Sequence, residues 1–215
     1  MKAGKLTAWA ALVGTLALLN YASRLSGGKP PRDELYHYDA ALSGLVLYAV
    51  LLGLVVWIAR GLSPRELGLG RPRSWLRALG LALAVLFAIL IAEAVLEPFL
   101  HATREQGLEP PHWEPDRATP FALNALVVVL AAPLVEELTF RGLGFTLLAR
   151  YSAAVAVVVT AVAFAAAHGL VAGFPELFVF GVGIAFLRYR TRSVYPGMLL
   201  HACYNGAALA VAFAR

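Results

Sequence analysis

Seven apolar runs separated by short polar stretches organise this chain: residues 6–22, 40–59, 78–100, 121–148, 153–169, 177–187 and 194–213. The long ones are near the roughly 20 residues that a membrane-spanning helix needs. The pattern predicts an all-α fold, a polytopic transmembrane bundle of about seven helices. The sixth run is short, and Gly173 and Pro175 just ahead of it predict a loop dipping into the protein. The third run carries Glu93, Glu97 and Pro98, so its far end is expected to turn away from lipid. Lys2 and Lys5 precede the first run, as in a signal peptide. That run exceeds the usual ~7–15 apolar residues, and Tyr21-Ala22-Ser23 matches a small-x-small cleavage site poorly, so an uncleaved helix is expected.

Composition supports the membrane reading. The chain is 60% hydrophobic and 14% charged, with mean hydropathy +0.72, against roughly 45–50% apolar and about 25% charged residues in soluble domains. Its 215 residues suit one integral membrane domain, 1–215, with no stretch polar enough for a second. The net charge of +5 comes from basic residues placed in short loops between the runs. That placement is a topology signal and argues against a nucleic-acid surface. A cytoplasmic N-terminus gathers Lys2, Lys5, Arg60, Arg65, Arg71, Arg73, Arg77, Arg141, Arg150, Arg188, Arg190 and Arg192 on the inner side. Arg24, Lys29, Arg32, Arg104, Arg117 and Arg215 fall outside. The expected location is a bacterial inner membrane. Trp113, in the long outer loop 101–119, reads as an interface anchor. His37, His101 and His112 have no metal spacing and receive no role. Cys203 is alone, so no internal disulfide forms, and His201 points about 200° away on a helix, which leaves the thiol without a base.

Against this background a few polar residues stand inside apolar runs: Glu136, Glu137, Arg141, His168, His201 and Asn205. A carboxylate at a helix centre in a bilayer costs about 2.5–3.5 kcal/mol, so such residues mark function. Helix rise puts Glu136 and His168 each about 22 Å along their helices, and His201 and Asn205 about 10 and 16 Å along theirs. These depths overlap, and a shared pocket is geometrically allowed. Glu137 and Arg141 stand at i and i+4 and can pair, while Glu136 points about 100° away and can line a cavity. Phe164 and His168 share a face, and the ring can shield the imidazole from lipid. His201 and Asn205 also share a face and offer two donors to one site. A carboxylate with a His partner can activate water, and aimed donors can stabilise an oxyanion, which together describe a hydrolase without a covalent nucleophile. A carboxylate-lined transporter path, a non-catalytic immunity or binding scaffold, and a zinc site of Glu and two His are the competing readings. No His-Glu-x-x-His is present for a helical zinc protease.

Three motifs occur in order: Glu136-Glu137-Leu138-Thr139-Phe140-Arg141, Phe164-Ala165-Ala166-Ala167-His168, and His201-Ala202-Cys203-Tyr204-Asn205, with Tyr195-Pro196-Gly197-Met198 ahead of the last. Together they resemble the CAAX-protease and bacteriocin-processing (CPBP, or Abi) family of intramembrane proteases. The resemblance covers about 118–210, leaving 1–117 as variable helices. It implies glutamate-type peptide hydrolysis, with Glu136 as general base and His168 helping to activate water. His201 and Asn205 would form the oxyanion site, with Glu137 and Arg141 in support. The implied partner is a peptide or protein at the bilayer: a leader peptide, a C-terminal sorting tail or a lipidated C-terminus. No cofactor is expected, zinc being the alternative.

Overall fold

A computed structural model describes residues 2–27, 31, 33–102, 105 and 113–213. Lys29, Arg32, Arg104, His112 and Arg215 lie outside the described residues. Within them the fold is all-helical, with seven helices: α1 (Lys2–Leu25), α2 (Tyr38–Ala59), α3 (Trp75–Leu100), α4 (Pro115–Leu148), α5 (Ala153–Ala167), α6 (Phe174–Thr191) and α7 (Tyr195–Phe213). Helices α1 to α4 are each long and apolar enough to cross a membrane. Their outer faces carry exposed large apolar side chains such as Leu42, Val46, Val50, Leu83 and Phe87, which suits lipid and not water.

Local chemistry fixes the helix ends. Ser74 and Ser152 cap α3 and α5 by accepting from the Arg77 and Val155 amides. The sixth apolar run is an ordinary helix and not a dipping loop. Gly173 stands at its N-cap, and Pro175 occupies the first turn, where a missing N–H costs nothing. The helix then runs on through Arg188 and Arg190, which extend it past the apolar stretch.

Helix α5 packs on α6, α6 on α3, and α1 on α5. The core lies where they meet around Phe164, Leu143, Leu147, Ile184 and Ile89. One end of the bundle collects the start of α1, the end of α2, the loop after it, and the ends of α4 and α6. There Lys5 Nζ donates to the carbonyls of Ile58 and Arg60, Thr146 to Glu66 O, and Arg188 to Glu66 O. Arg141 and Arg188 are themselves buried inside the bundle and are not loop residues, so neither belongs in the topology signal. At the other end Trp113 packs against Tyr36 and Phe121, ring centroids 6.3 and 5.7 Å away, with 44% of its surface still open.

Helix α4 departs from regular α geometry twice, in π turns over Val127–Ala131 and Leu138–Gly144. Pro133 gives a reason for the first: it lacks an N–H, and its ring crowds the carbonyl four residues back. A π turn leaves carbonyls free of the regular helix ladder. Here they receive side chains from other helices. Val128 O accepts from Asn205, Thr139 O from Trp9, and Arg141 O from Arg188. Trp9 reaches α4 only because Gly144 is bare; a Cβ there would stand 2.5 Å from the indole ring.

Candidate active site

Glu136 and Glu137 occupy the short α-helical piece between the two π turns. Glu137 and Arg141 are wholly buried and joined by a 3.0 Å ion pair. Arg141 also donates to Gly181 O at 3.1 Å and lies over the Phe164 ring, 4.5 Å from its centroid. Removing two charges from water is costly, and among the described residues Glu137 Oε2 and Arg141 Nε stay buried without a hydrogen-bond partner. The Glu137 oxygen paired with Arg141, Oε1, also accepts from His201 Nδ1 at 3.1 Å. Gly197 makes room for this carboxylate: a Cβ at that position would come within 3.3 Å of Glu137 Oε2 and 2.8 Å of Ile184.

Glu136 faces the other way. Its Oε1 accepts from Tyr48 at 2.9 Å, and its Oε2 lies 3.8 Å from His201 Nε2. His201 therefore stands between the two carboxylates, one on each ring nitrogen. Phe180 and Phe164 hold the ring edge-on, with centroids 4.9 and 5.9 Å away.

His168 ends α5. Its Nδ1 is 2.8 Å from Phe164 O, and because a carbonyl only accepts, Nδ1 carries a proton, so in the neutral ring the lone pair is on Nε2. The Phe164 ring is 4.5 Å away, centroid to centroid. Helix α5 has 15 residues, about 22 Å, short of the ~30 Å hydrocarbon thickness, so it delivers His168 at depth. The turn that follows has its backbone groups satisfied from elsewhere, as a non-helical segment at such depth requires. Asn20 donates to Ala167 O and Tyr21 to Leu170 O, while the Val171 and Gly173 amides donate to Glu105. Burial works against the charge on Glu105, yet those amides and Arg24 outweigh it and hold the carboxyl below its usual range.

Glu136, His168, His201, Asn205 and Phe164 all line one cavity of about 290 Å³. Asn205 directs one amide N–H to Val128 O at 2.9 Å, which fixes its orientation and leaves a second N–H. Tyr48, Glu93, Glu176 and Tyr204 line the cavity too. Glu93 accepts from Tyr204, and Glu176 Oε1 is buried without a partner. Sequence reading gave none of the four a place at the site: Tyr204 stood in the last motif without a role, Glu93 only marked a helix end turned from lipid, and no helical spacing ties Tyr48 or Glu176 to the motifs. Cys203 is exposed and outside the cavity lining. Among the described residues no three His, Cys, Asp or Glu side chains are grouped so as to hold a metal ion.

Residues 118–207 match the family model for type II CAAX prenyl endopeptidase, Rce1-like. Across that segment the chain is similar to the Rce1-like family. The match spans α4 to α7 and so contains Glu136, Glu137, Arg141, Phe164, His168, His201 and Asn205. That match and the four helices long and apolar enough to cross a membrane support an integral membrane protein of CAAX-type intramembrane protease kind, acting on a membrane-associated peptide or protein. No curated protein and no solved structure matches the chain.

Proposed function

We propose that this protein hydrolyses a peptide bond near the terminus of a membrane-associated protein or peptide, using water activated by Glu136 and His168. The observation that carries the reading is the convergence of Glu136, His168, His201 and Asn205 on one cavity, with His201 Nε2 3.8 Å from Glu136 Oε2. Glu136 takes a proton from water, and the oxygen attacks the scissile carbonyl carbon. His168 presents Nε2 as a second acceptor that orients the water. The carbonyl oxygen becomes an oxyanion, which takes hydrogen bonds from the free Asn205 N–H and from His201 when its Nε2 is protonated. Collapse breaks the C–N bond, and the proton held on Glu136 passes to the leaving amine. Tyr48 fixes the Glu136 carboxylate, and Glu137 fixes the His201 ring, so both act as positioning residues. A leader peptide, a C-terminal sorting tail and a lipidated C-terminus all fit this chemistry.

The test is cleavage of a membrane peptide by purified protein. Glu136→Ala and His168→Ala are expected to fold as wild type and to lose turnover. Full activity in both variants overturns the reading in favour of a binding or immunity scaffold, and coupled ion flux in liposomes favours a transporter.

The reaction as proposed needs no metal. A catalytic zinc takes three protein ligands and a water. Glu136, His168 and His201 are the available set, but His201 is held between two carboxylates and Asn205 suits an oxyanion donor. Activity is expected to survive exhaustive chelation. One tightly bound zinc in active protein, with activity lost on its removal and restored on its return, would defeat the glutamate mechanism.

A further inference from the structure

A second concavity, remote from the cavity of Glu136, opens at the end of the bundle where α3 begins and α6 ends. It measures about 980 Å³ and is lined by Arg71, Arg73, Arg77, Arg190 and Arg192, with Ser74 and Thr191 beside them. No acidic one among the described residues lines it. Among the described residues none of the five guanidiniums has a hydrogen-bonded or ion-paired partner; Arg190 alone lies over a ring, that of Phe186. Five like charges in one hollow repel each other, and among the described residues no carboxylate pairs with them. The amino end of α3, capped by Ser74, adds its positive dipole end to the same place.

We infer that this hollow binds the phosphate-bearing headgroup of an anionic membrane lipid. Arginine forks match phosphate oxygens in pairs, and basic pockets between membrane helices take such headgroups. What selects a lipid over free phosphate is the surface next to the hollow. Leu76, Leu79, Leu83 and Phe87 follow one another at helical spacing down the outer face of α3, and they are 84%, 39%, 67% and 67% exposed. They give acyl chains a track that starts beside Arg77 and runs toward the membrane centre. The inference is independent of the peptide-cleavage reading, since it uses none of the cavity residues.

The test uses the full chain in neutral detergent and follows thermal unfolding with added phosphatidylglycerol, phosphatidylcholine or inorganic phosphate. Phosphatidylglycerol is expected to raise Tm by about 4 °C over phosphatidylcholine, as specific ligation of the folded state does. The triple variant R73Q/R77Q/R192Q is expected to lose that rise. The control R60Q/R65Q changes exposed arginines at the same end but outside the hollow, and is expected to keep it. Should the glutamine variant fail to fold, R73K/R77K/R192K keeps charge without the fork and is expected to lose more than half of the rise. An equal rise with inorganic phosphate makes this a free-anion site and overturns the lipid assignment. An undiminished rise in the hollow variants, or an equal loss in the control, reduces the effect to diffuse surface charge and overturns the site itself.

Discussion

On one carboxylate oxygen Glu137 receives both Arg141 and His201, whereas Glu136, one residue earlier, faces the cavity and receives Tyr48. Glu137→Gln leaves Arg141 buried without its counter-charge, and breaking a buried pair this way costs roughly 3–5 kcal/mol. A marked fall in Tm in detergent is expected for that variant. Glu136→Gln is expected to keep Tm near wild type and abolish peptide cleavage. If melts and turnover come out reversed, base and support have been exchanged. The Glu137–Arg141 pair was legible in the sequence because i, i+4 spacing is a local rule. The bond from Glu137 to His201 was not, since it joins residues 64 apart in the chain. Tyr48 escaped for the same reason, at 88 residues from Glu136.

Among the elements, α5 and the turn after it carry His168, and that turn hangs on Glu105. Because the Glu105 carboxyl is held below its usual range in the folded protein, its contribution to stability is present above the unfolded value. That contribution is lost as pH falls through the lowered folded value. Tm of the wild type is therefore expected to drop more steeply on acidification than Tm of Glu105→Gln, which lacks the titrating group. Parallel pH profiles for the two proteins would show that Glu105 does not hold the turn. Apolar periodicity located α5, yet nothing local in residues 168–173 announces that α1 and Glu105 supply their partners. The π turns of α4 were equally hidden. Pro133 signals an irregularity in an apolar run, but whether the chain kinks, breaks or widens there depends on the neighbours waiting to use the freed carbonyls.

For the molecule as a whole, a bundle of about seven helices and a membrane setting were readable from run length and composition, while the sixth run's full helical length was not. Its polar last turn, Arg188 to Thr191, broke the apolar signal where Arg188 is in fact buried against Arg141 O and Glu66 O. Orientation rests on the basic residues that stay outside the core at the end shared by α2 and α3: Arg60, Arg65, Arg71, Arg73 and Arg77. We propose that this end is cytoplasmic; a membrane-impermeant thiol reagent on intact cells is then expected to label Ser26→Cys and to spare Arg65→Cys, both in a Cys203→Ser background. Labelling of residue 65 alone inverts the topology.

The turn at Val127–Ala131 holds one residue more than an α turn would, and the surplus is absorbed on the spot. Deleting a single residue there is expected to bring the turn back to α register around Pro133, so the stretch before it and the two glutamates after it keep their facing. Pro133 still offers no N–H, so a free carbonyl remains in the turn, but its direction changes, and with it the tether on Asn205. A one-codon deletion thus becomes a sharper probe than any side-chain change: the bundle is kept, every motif letter is kept, and only the aim of one amide is set loose.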